Sequence, residues 1–271
     1  MRVRVDAGGG RYGDPRVWRV LRKRGIRMAR LLPMCAPWRW RYMNLRNRRK
    51  LLVVGGVEGF TGGLNIRPDH VLADAPKSPT HDVHVRLVGP VAHQLLTAFI
   101  EDWDFATGER LIGDAWAEQV SKGEAIEGPV TARTVLDGPD EDIDRARLVM
   151  LTAIACAQER VAIATPYFLP DASLLSALEV AARRGVRVDV VLPGRSNLRL
   201  VGWAMDHVLR VTSLEGVRIW RTPTPFDHSK LMTIDGCWCL LGSANWDPRS
   251  LRLNFELNVE CYDTALESEV V

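Results

Sequence analysis

Two stretches of this 271-residue chain, 180 positions apart, are versions of one another. Arg48-Arg49-Lys50-Leu51-Leu52-Val53-Val54-Gly55 aligns with His228-Ser229-Lys230-Leu231-Met232-Thr233-Ile234-Asp235, and Gly62, Gly63 and Asn65 fall on Gly242, Ser243 and Asn245. Upstream, Gly25-Ile26-Arg27 after an amphipathic helix answers Gly216-Val217-Arg218. A repeat of this kind fixes the architecture before any single residue does, because each copy must be one supersecondary unit packed on the other. Around the second copy, strands and helices alternate. Residues 144–158 have helical periodicity and 161–164 form a short strand. Asp171 N-caps a helix whose apolar face is Leu174, Leu178 and Ala181 and which Gly185 ends. Residues 186–192 are a strand and 198–212 a helix. Further strands fall at 217–220, 230–234, 237–241 and 255–261, with a turn at Asp235-Gly236. This pattern specifies an α/β fold of two related units, residues 1–140 and 141–271, with mixed sheets flanked by helices. The first unit is expected to be incomplete. Its Val3-Arg4-Val5 matches the strand that starts at Val186, so the strand and helix of residues 161–184 lack counterparts. Between the units, 73–80 reads as a Pro-rich loop, 91–106 as a helix and 108–140 as a turn-rich crossover.

The chemistry concentrates in His228-x-Lys230-x4-Asp235-x6-Gly242-Ser243-x-Asn245. An imidazole can attack phosphorus or protonate a leaving oxygen near neutral pH. Lys230, two residues on in an extended segment, points the same way and can hold a phosphate oxygen. Ser243 and Asn245 add hydrogen-bonding groups for the same phosphate, and Asp235 serves the turn more than the chemistry. In the first copy, Lys50, Gly62 and Asn65 keep their types, and Gly63 stands where the second copy has Ser243.

These residues resemble the signature of the phospholipase D superfamily, and the flanks resemble its bacterial cardiolipin synthases. The similar stretches are Asn44-Leu45-Arg46-Asn47, Phe60-Thr61-Gly62-Gly63-Leu64-Asn65-Ile66, Glu101-Asp102-Trp103, Thr165-Pro166-Tyr167-Phe168-Leu169-Pro170, Phe226-Asp227-His228-Ser229-Lys230-Leu231-Met232 and Asp247-Pro248-Arg249-Ser250-Leu251-Arg252-Leu253-Asn254-Phe255-Glu256. The resemblance implies a phospholipase D fold with two motifs facing one cleft, and no metal or other cofactor. It implies that one motif histidine becomes phosphatidylated while the other protonates the departing alcohol, so that two phosphatidylglycerols yield cardiolipin and glycerol. On this reading His228, Lys230, Asp235 and Lys50 are the catalytic residues, and Ser243, Asn245, Asn65, Gly63 and Arg48 surround the substrate phosphate. Glu256 would orient His228, as carboxylates orient imidazoles.

The chain departs from the pattern where Arg48 replaces the first motif's histidine and Gly55 its aspartate. Arginine binds phosphate but stays protonated, so it is neither nucleophile nor general acid. One of the two roles is therefore expected to be empty and turnover low. His70, His81, His84, His93 and His207 are the imidazoles that could substitute. The chain reads as shortened at its start, without the membrane-spanning helices common in relatives. Its longest apolar stretch, 148–157, falls short of the roughly 20 residues that span a bilayer. Residues 1–50 carry 16 Lys and Arg against Asp6 and Asp14, a net of +14, whereas the remainder carries −11. A basic block of this kind suits an anionic membrane surface. Trp38, Trp40 and Tyr42 among the arginines would sit at its headgroup layer. The expected placement is cytoplasmic and peripheral on the membrane, with a phosphatidylglycerol-like substrate. The five scattered cysteines form no CxxC pair and read as small buried hydrophobes in a reducing compartment. Two rival functions remain: a phosphodiesterase acting on nucleic acid, which the lipid-type flanks oppose, and a non-catalytic remnant that binds phosphate or membrane.

Overall fold

The computed structural model describes residues 1–7, 17–31, 45–74, 76–111, 128, 130–139, 141–211 and 214–264. The chain begins with β1 (Arg2–Asp6), α1 (Val17–Lys23) and β2 (Arg27–Leu31), and β1 pairs parallel with β2. A two-residue strand β3 (Arg46–Asn47) leads into the hairpin β4 (Leu51–Val54) and β5 (Glu58–Gly62). Two 3-10 turns follow, then β6 (Thr80–His81) and β7 (His84–Val88), which completes the antiparallel sheet β4-β5-β7. The helix α2 (Pro90–Thr107) comes next. It starts on Pro90, whose missing N–H costs nothing at that position, and ends on left-handed Gly108.

The second half is a layered α/β structure. Its elements are β8 (Thr131–Asp137), α3 (Arg145–Cys156), β9 (Arg160–Ala164), α4 (Ala172–Arg183), β10 (Arg187–Pro193), α5 (Arg199–Val211), β11 (Val217–Thr222), β12 (Phe226–Asp227), β13 (Leu231–Ile234), β14 (Trp238–Gly242), α6 (Pro248–Arg252) and β15 (Asn254–Tyr262). The main sheet runs β11-β10-β9-β13-β14-β15, with β3 and β8 both paired to β15. The strands β9, β10 and β11 are parallel because helices connect them, and the β13-β14-β15 end is antiparallel. Met150 and Ile154 of α3, Leu174 and Leu178 of α4 and Met205 of α5 pack on one face against Val161, Ile163, Val188, Val190 and Leu192. On the other face, Val91, Leu95 and Ala98 of α2 pack against Leu231, Leu241, Leu257 and Val259, with Leu51, Val53 and Leu87 of the small sheet alongside. Strand β10 turns Val188, Val190 and Leu192 to the helices, and on its other face Asp189 is paired with Arg187 and Arg218. The Asp171 carboxylate accepts from the Leu174 N–H at 3.0 Å, which caps α4 as its sequence requires.

Three expectations need correction. Residues 131–137, assigned to a turn-rich crossover, form the seven-residue strand β8 antiparallel to β15. The strand placed at 237–241 begins at Trp238, so Cys237 lies in the turn and is exposed beside buried Cys239. Among the described cysteines only Cys239 and Cys261 are buried, while Cys156 is also exposed. Cys35, Trp38, Trp40 and Tyr42 lie outside the described residues. Among the described residues no helix is long and apolar enough to cross a membrane.

Candidate active site

The two motifs meet because each half lends a short strand to the other. Parallel to β15, β3 sets Arg46 opposite Asn254 and Asn47 opposite Phe255, and the Arg48 N–H donates to the Phe255 carbonyl at 2.8 Å. Parallel to β6, β12 sets Phe226 opposite Thr80 and Asp227 opposite His81, and the His228 N–H donates to the His81 carbonyl at 2.8 Å. The residue that follows each acceptor is a carboxylate: Glu256 in one crossing, Asp82 in the other. Just behind the crossings, at the ends of β5 and β14, a Cβ at Gly62 would strike the backbone of residues 83–84 leading into β7, and one at Gly242 the backbone of residues 257–258 in β15. Glycine is required at both for that reason.

His228 and Lys230 are both buried. The His228 Nδ1 lies 2.7 Å from Asp82 Oδ2, and the Lys230 ammonium lies 2.8 Å from the same nitrogen and donates to the His228 carbonyl. Lys50 mirrors this, donating to the Arg48 carbonyl at 2.9 Å. Burial lowers the His228 pKa to about 4 against the opposing pull of Asp82, so the ring is neutral near pH 7. Burial also lowers Lys50 and Lys230, both feel Asp82, Glu256 and Arg48, and Lys230 feels Lys50 as well. The two lysines therefore share one electrostatic site. Three rings surround His228: Phe226 at 6.1 Å between centroids, Tyr167 at 6.4 Å and His70 at 6.0 Å. The Tyr167 hydroxyl donates to Asn197 at 2.8 Å.

Several anticipated residues have other partners. The carboxylate on His228 is Asp82, not Glu256. Glu256 accepts from Ser243 at 2.6 Å and Asn254 at 3.0 Å, and its charge is held by Lys50 and Arg48 while burial pushes its pKa up. Ser243 also accepts from the Leu257 N–H at 3.0 Å, so it braces Glu256. Its counterpart Gly63 leaves the space that Asp82 fills, since a Cβ there would collide with that carboxylate. Asn245 donates to Ser250 at 3.1 Å. Asn65 places its carbonyl on the Arg67 N–H at 2.9 Å, at the start of the turn that carries His70. Asp235, at the far end of β13, accepts from the N–H groups of Gln158, Glu159 and Arg160 at 2.8, 2.8 and 2.7 Å, a structural tie to the start of β9. Asp235 and Gly55 both take left-handed backbone, φ 52° and 61°. Among the described residues the first half has no strand in the place of β9, so Gly55 has no such amides to receive. Asp82 was missed in the sequence because the contact spans 146 residues. The signal available was its place in the second crossing, equivalent to that of Glu256.

Residues 150–271 match the family model described as the cardiolipin synthase, PLD-like domain. The chain is 36% identical over 232 residues to cardiolipin synthase A of Pseudomonas fluorescens, covering 84% of this chain and 46% of that protein. It is 32% identical over 251 residues to a cardiolipin synthase of Alkalihalophilus pseudofirmus, covering 93% and 50%. It thus spans about half the length of the curated relatives it matches. The solved structure of a phosphatidylserine synthase from Haemophilus influenzae superposes on 100% of this chain and 72% of that one, with a TM-score of 0.68 at 14% identity, a likeness of fold. With crossed motifs and this sheet order, the chain belongs to the phospholipase D superfamily. Within that superfamily its sequence is similar to the bacterial cardiolipin synthases.

Proposed function

We propose that this chain transfers a phosphatidyl group from one alcohol to another, through a covalent phosphatidyl-His228. The observation that carries the reading is a buried, neutral imidazole held by Asp82 at 2.7 Å beside Lys230. In this reading the ring proton sits on Nδ1 and goes to Asp82, the Lys230 ammonium directs its protons to the His228 carbonyl rather than to that nitrogen, and His228 offers the Nε2 lone pair to phosphorus. Arg48, Lys50 and Lys230 set three cationic side chains against the carboxylates of Asp82 and Glu256, a balance that suits one singly charged phosphodiester. Charge-assisted contacts to its oxygens would strengthen as the transition state develops. The names of the relatives make phosphatidylglycerol the first substrate to test, with glycerol as the departing alcohol and a second phosphatidylglycerol as acceptor. Asp235 and Asn245 support the scaffold in this reading, and Glu256 fixes the Arg48 side.

Arg48 itself favours a second reading, in which the site binds phosphate and turns nothing over. One experiment separates them. The purified chain is incubated with phosphatidylglycerol vesicles, and glycerol release and lipid-labelled protein are measured for wild type and His228→Ala. Glycerol release or labelling that His228→Ala abolishes supports transfer. Vesicle binding without either, unchanged in His228→Ala, supports the binding reading.

A further inference from the structure

We propose that His70 is the second catalytic imidazole of this site, exchanging a proton with the alcohol oxygen that leaves or joins phosphorus while His228 carries the phosphatidyl group. The inference rests on the transferase reading above. Arg48 stands where the repeat would place that imidazole, and a guanidinium cannot give up its proton. The other histidines are placed less well. His93 lies on α2 and His207 on α5, and neither makes a ring contact with His228 among the described residues. His81 gives His228 only its backbone carbonyl, and its side chain is exposed. His84 lies against Gly62, where its charged neighbours are Asp82 and Lys50.

His70 faces His228 directly, with centroids 6.0 Å apart and planes at 75°. Its charged neighbours are Asp82, Arg67, Lys230 and Asp69, so it shares the electrostatic surroundings of His228 itself. The Nδ1 atom is buried with no hydrogen-bond partner. The backbone fixes its position five residues beyond Asn65. The His70 N–H donates to the Arg67 carbonyl at 3.1 Å and the Val71 N–H to the Pro68 carbonyl at 3.0 Å, and the turn begins on Pro68. Two imidazoles at this separation can serve one phosphorus centre, since attack needs about 3–3.5 Å and proton transfer about 2.6–3.2 Å.

The steps balance. The His228 Nε2 lone pair forms a P–N bond, and the P–O bond to the departing alcohol breaks. Its electron pair stays on that oxygen, which takes the proton of the His70 imidazolium. In the second step the acceptor hydroxyl gives its proton to neutral His70 as its oxygen forms the new P–O bond. The P–N pair returns to His228, and both rings end as they began. Burial and the cations Arg67 and Lys230 lower the His70 pKa, whereas Asp82 and Asp69 raise it. The first step should therefore decline as pH rises through a value below 6.5.

Leaving-group chemistry tests the proposal. The purified chain is given phosphatidylglycerol, whose alcohol needs a proton to depart, and phosphatidyl-4-nitrophenol, whose phenolate does not. His70→Gln should lower phosphatidylglycerol turnover by about 10²–10⁴-fold. It should leave the nitrophenolate burst within about threefold of wild type, because that step needs no acid. His228→Ala should abolish both, and His84→Gln should not reproduce the split. Equal losses on both substrates would assign His70 a packing role and overturn the proposal, as would no loss on either, while His228-dependent turnover keeps the transferase reading. Wild-type protein inert toward both substrates would overturn the proposal and the transferase reading together.

Discussion

Asp82 decides what His228 can do. Its carboxylate opposes the burial that pushes the imidazole pKa down to about 4, and it fixes the ring with Nδ1 inward. The sign follows from that value. Above about pH 4 the ring is neutral and nucleophilic, and as pH falls through 4 it gains a proton and loses the lone pair. Activity should therefore show an acid limb near 4, modified by the charge of bound phosphate. In Asp82→Asn the amide removes both the charge and the preference for a proton on Nδ1. The expected loss is on the order of 10⁴-fold in turnover, as when a carboxylate that orients a catalytic imidazole is amidated. Steady-state rates across pH for wild type and variant check it, and a loss below about tenfold would show that Asp82 is not the orienting group. The same residue shows where sequence reading stops. Lys230 and Lys50 were legible because they repeat at a fixed offset, and His228 because it stands two residues before Lys230, whereas Asp82 is defined by a partner in the other half. Glu256 was legible as a carboxylate near the motif, but its assignment to His228 failed because the crossing strands hand each carboxylate to the opposite motif.

At the level of elements, the first motif is held by a buried ionic cluster. Arg49, from the segment between β3 and β4, reaches Asp102 of α2 at 3.1 Å and the Glu256 carbonyl at 3.2 Å, and Arg4 of β1 reaches the same Asp102 at 2.8 Å. All three side chains are nearly inaccessible, at 4%, 6% and 6% exposure. One carboxylate thus ties β1, α2 and the Arg48–Lys50 segment to β15. Asp102→Ala would leave two buried guanidinium groups without their shared carboxylate, held only by neutral acceptors, a situation that costs roughly 3–5 kcal/mol. Urea denaturation should show the loss, and a change below about 1 kcal/mol would place Asp102 among ordinary surface pairs. The sequence made α3, α4, α5 and the strands between them legible because their apolar periodicity is set by burial in one core. The strand β8 was hidden because its outer positions are Thr131, Arg133 and other residues that also suit a loop. Its strand character comes from pairing with β15, more than 100 positions away in sequence.

For the whole molecule, the uneven charge along the chain predicts how an anionic membrane would meet it. Residues 1–50 carry a net of +14 and the remainder −11, although the total is only +3. Arg4 and Arg49 are buried on Asp102, whereas Arg22, Lys23, Arg24, Arg27 and Arg30 are exposed and are the basic residues that an anionic bilayer would attract. Each basic residue that approaches the surface contributes on the order of 1 kcal/mol. Screening works over about 10 Å at 0.1 M salt, so the attraction should weaken steeply as salt rises. Exposed apolar side chains would add a second contact close to the site. Ile66, Val71 and Leu72 are exposed on the segment that carries His70, and Leu200 and Trp203 are exposed on α5, which follows the Asn197 that holds Tyr167. Electrostatic approach would thus be followed by shallow apolar contact, with no helix among the described residues able to insert across the bilayer. The expected outcome is co-sedimentation with phosphatidylglycerol-containing vesicles that falls severalfold between 0.05 and 0.5 M salt, as a Debye-screened attraction requires. Binding to neutral phosphatidylcholine vesicles should be much weaker at every salt concentration. Equal binding to both vesicle types, or binding indifferent to salt, would rule out the basic residues of this segment as the docking force.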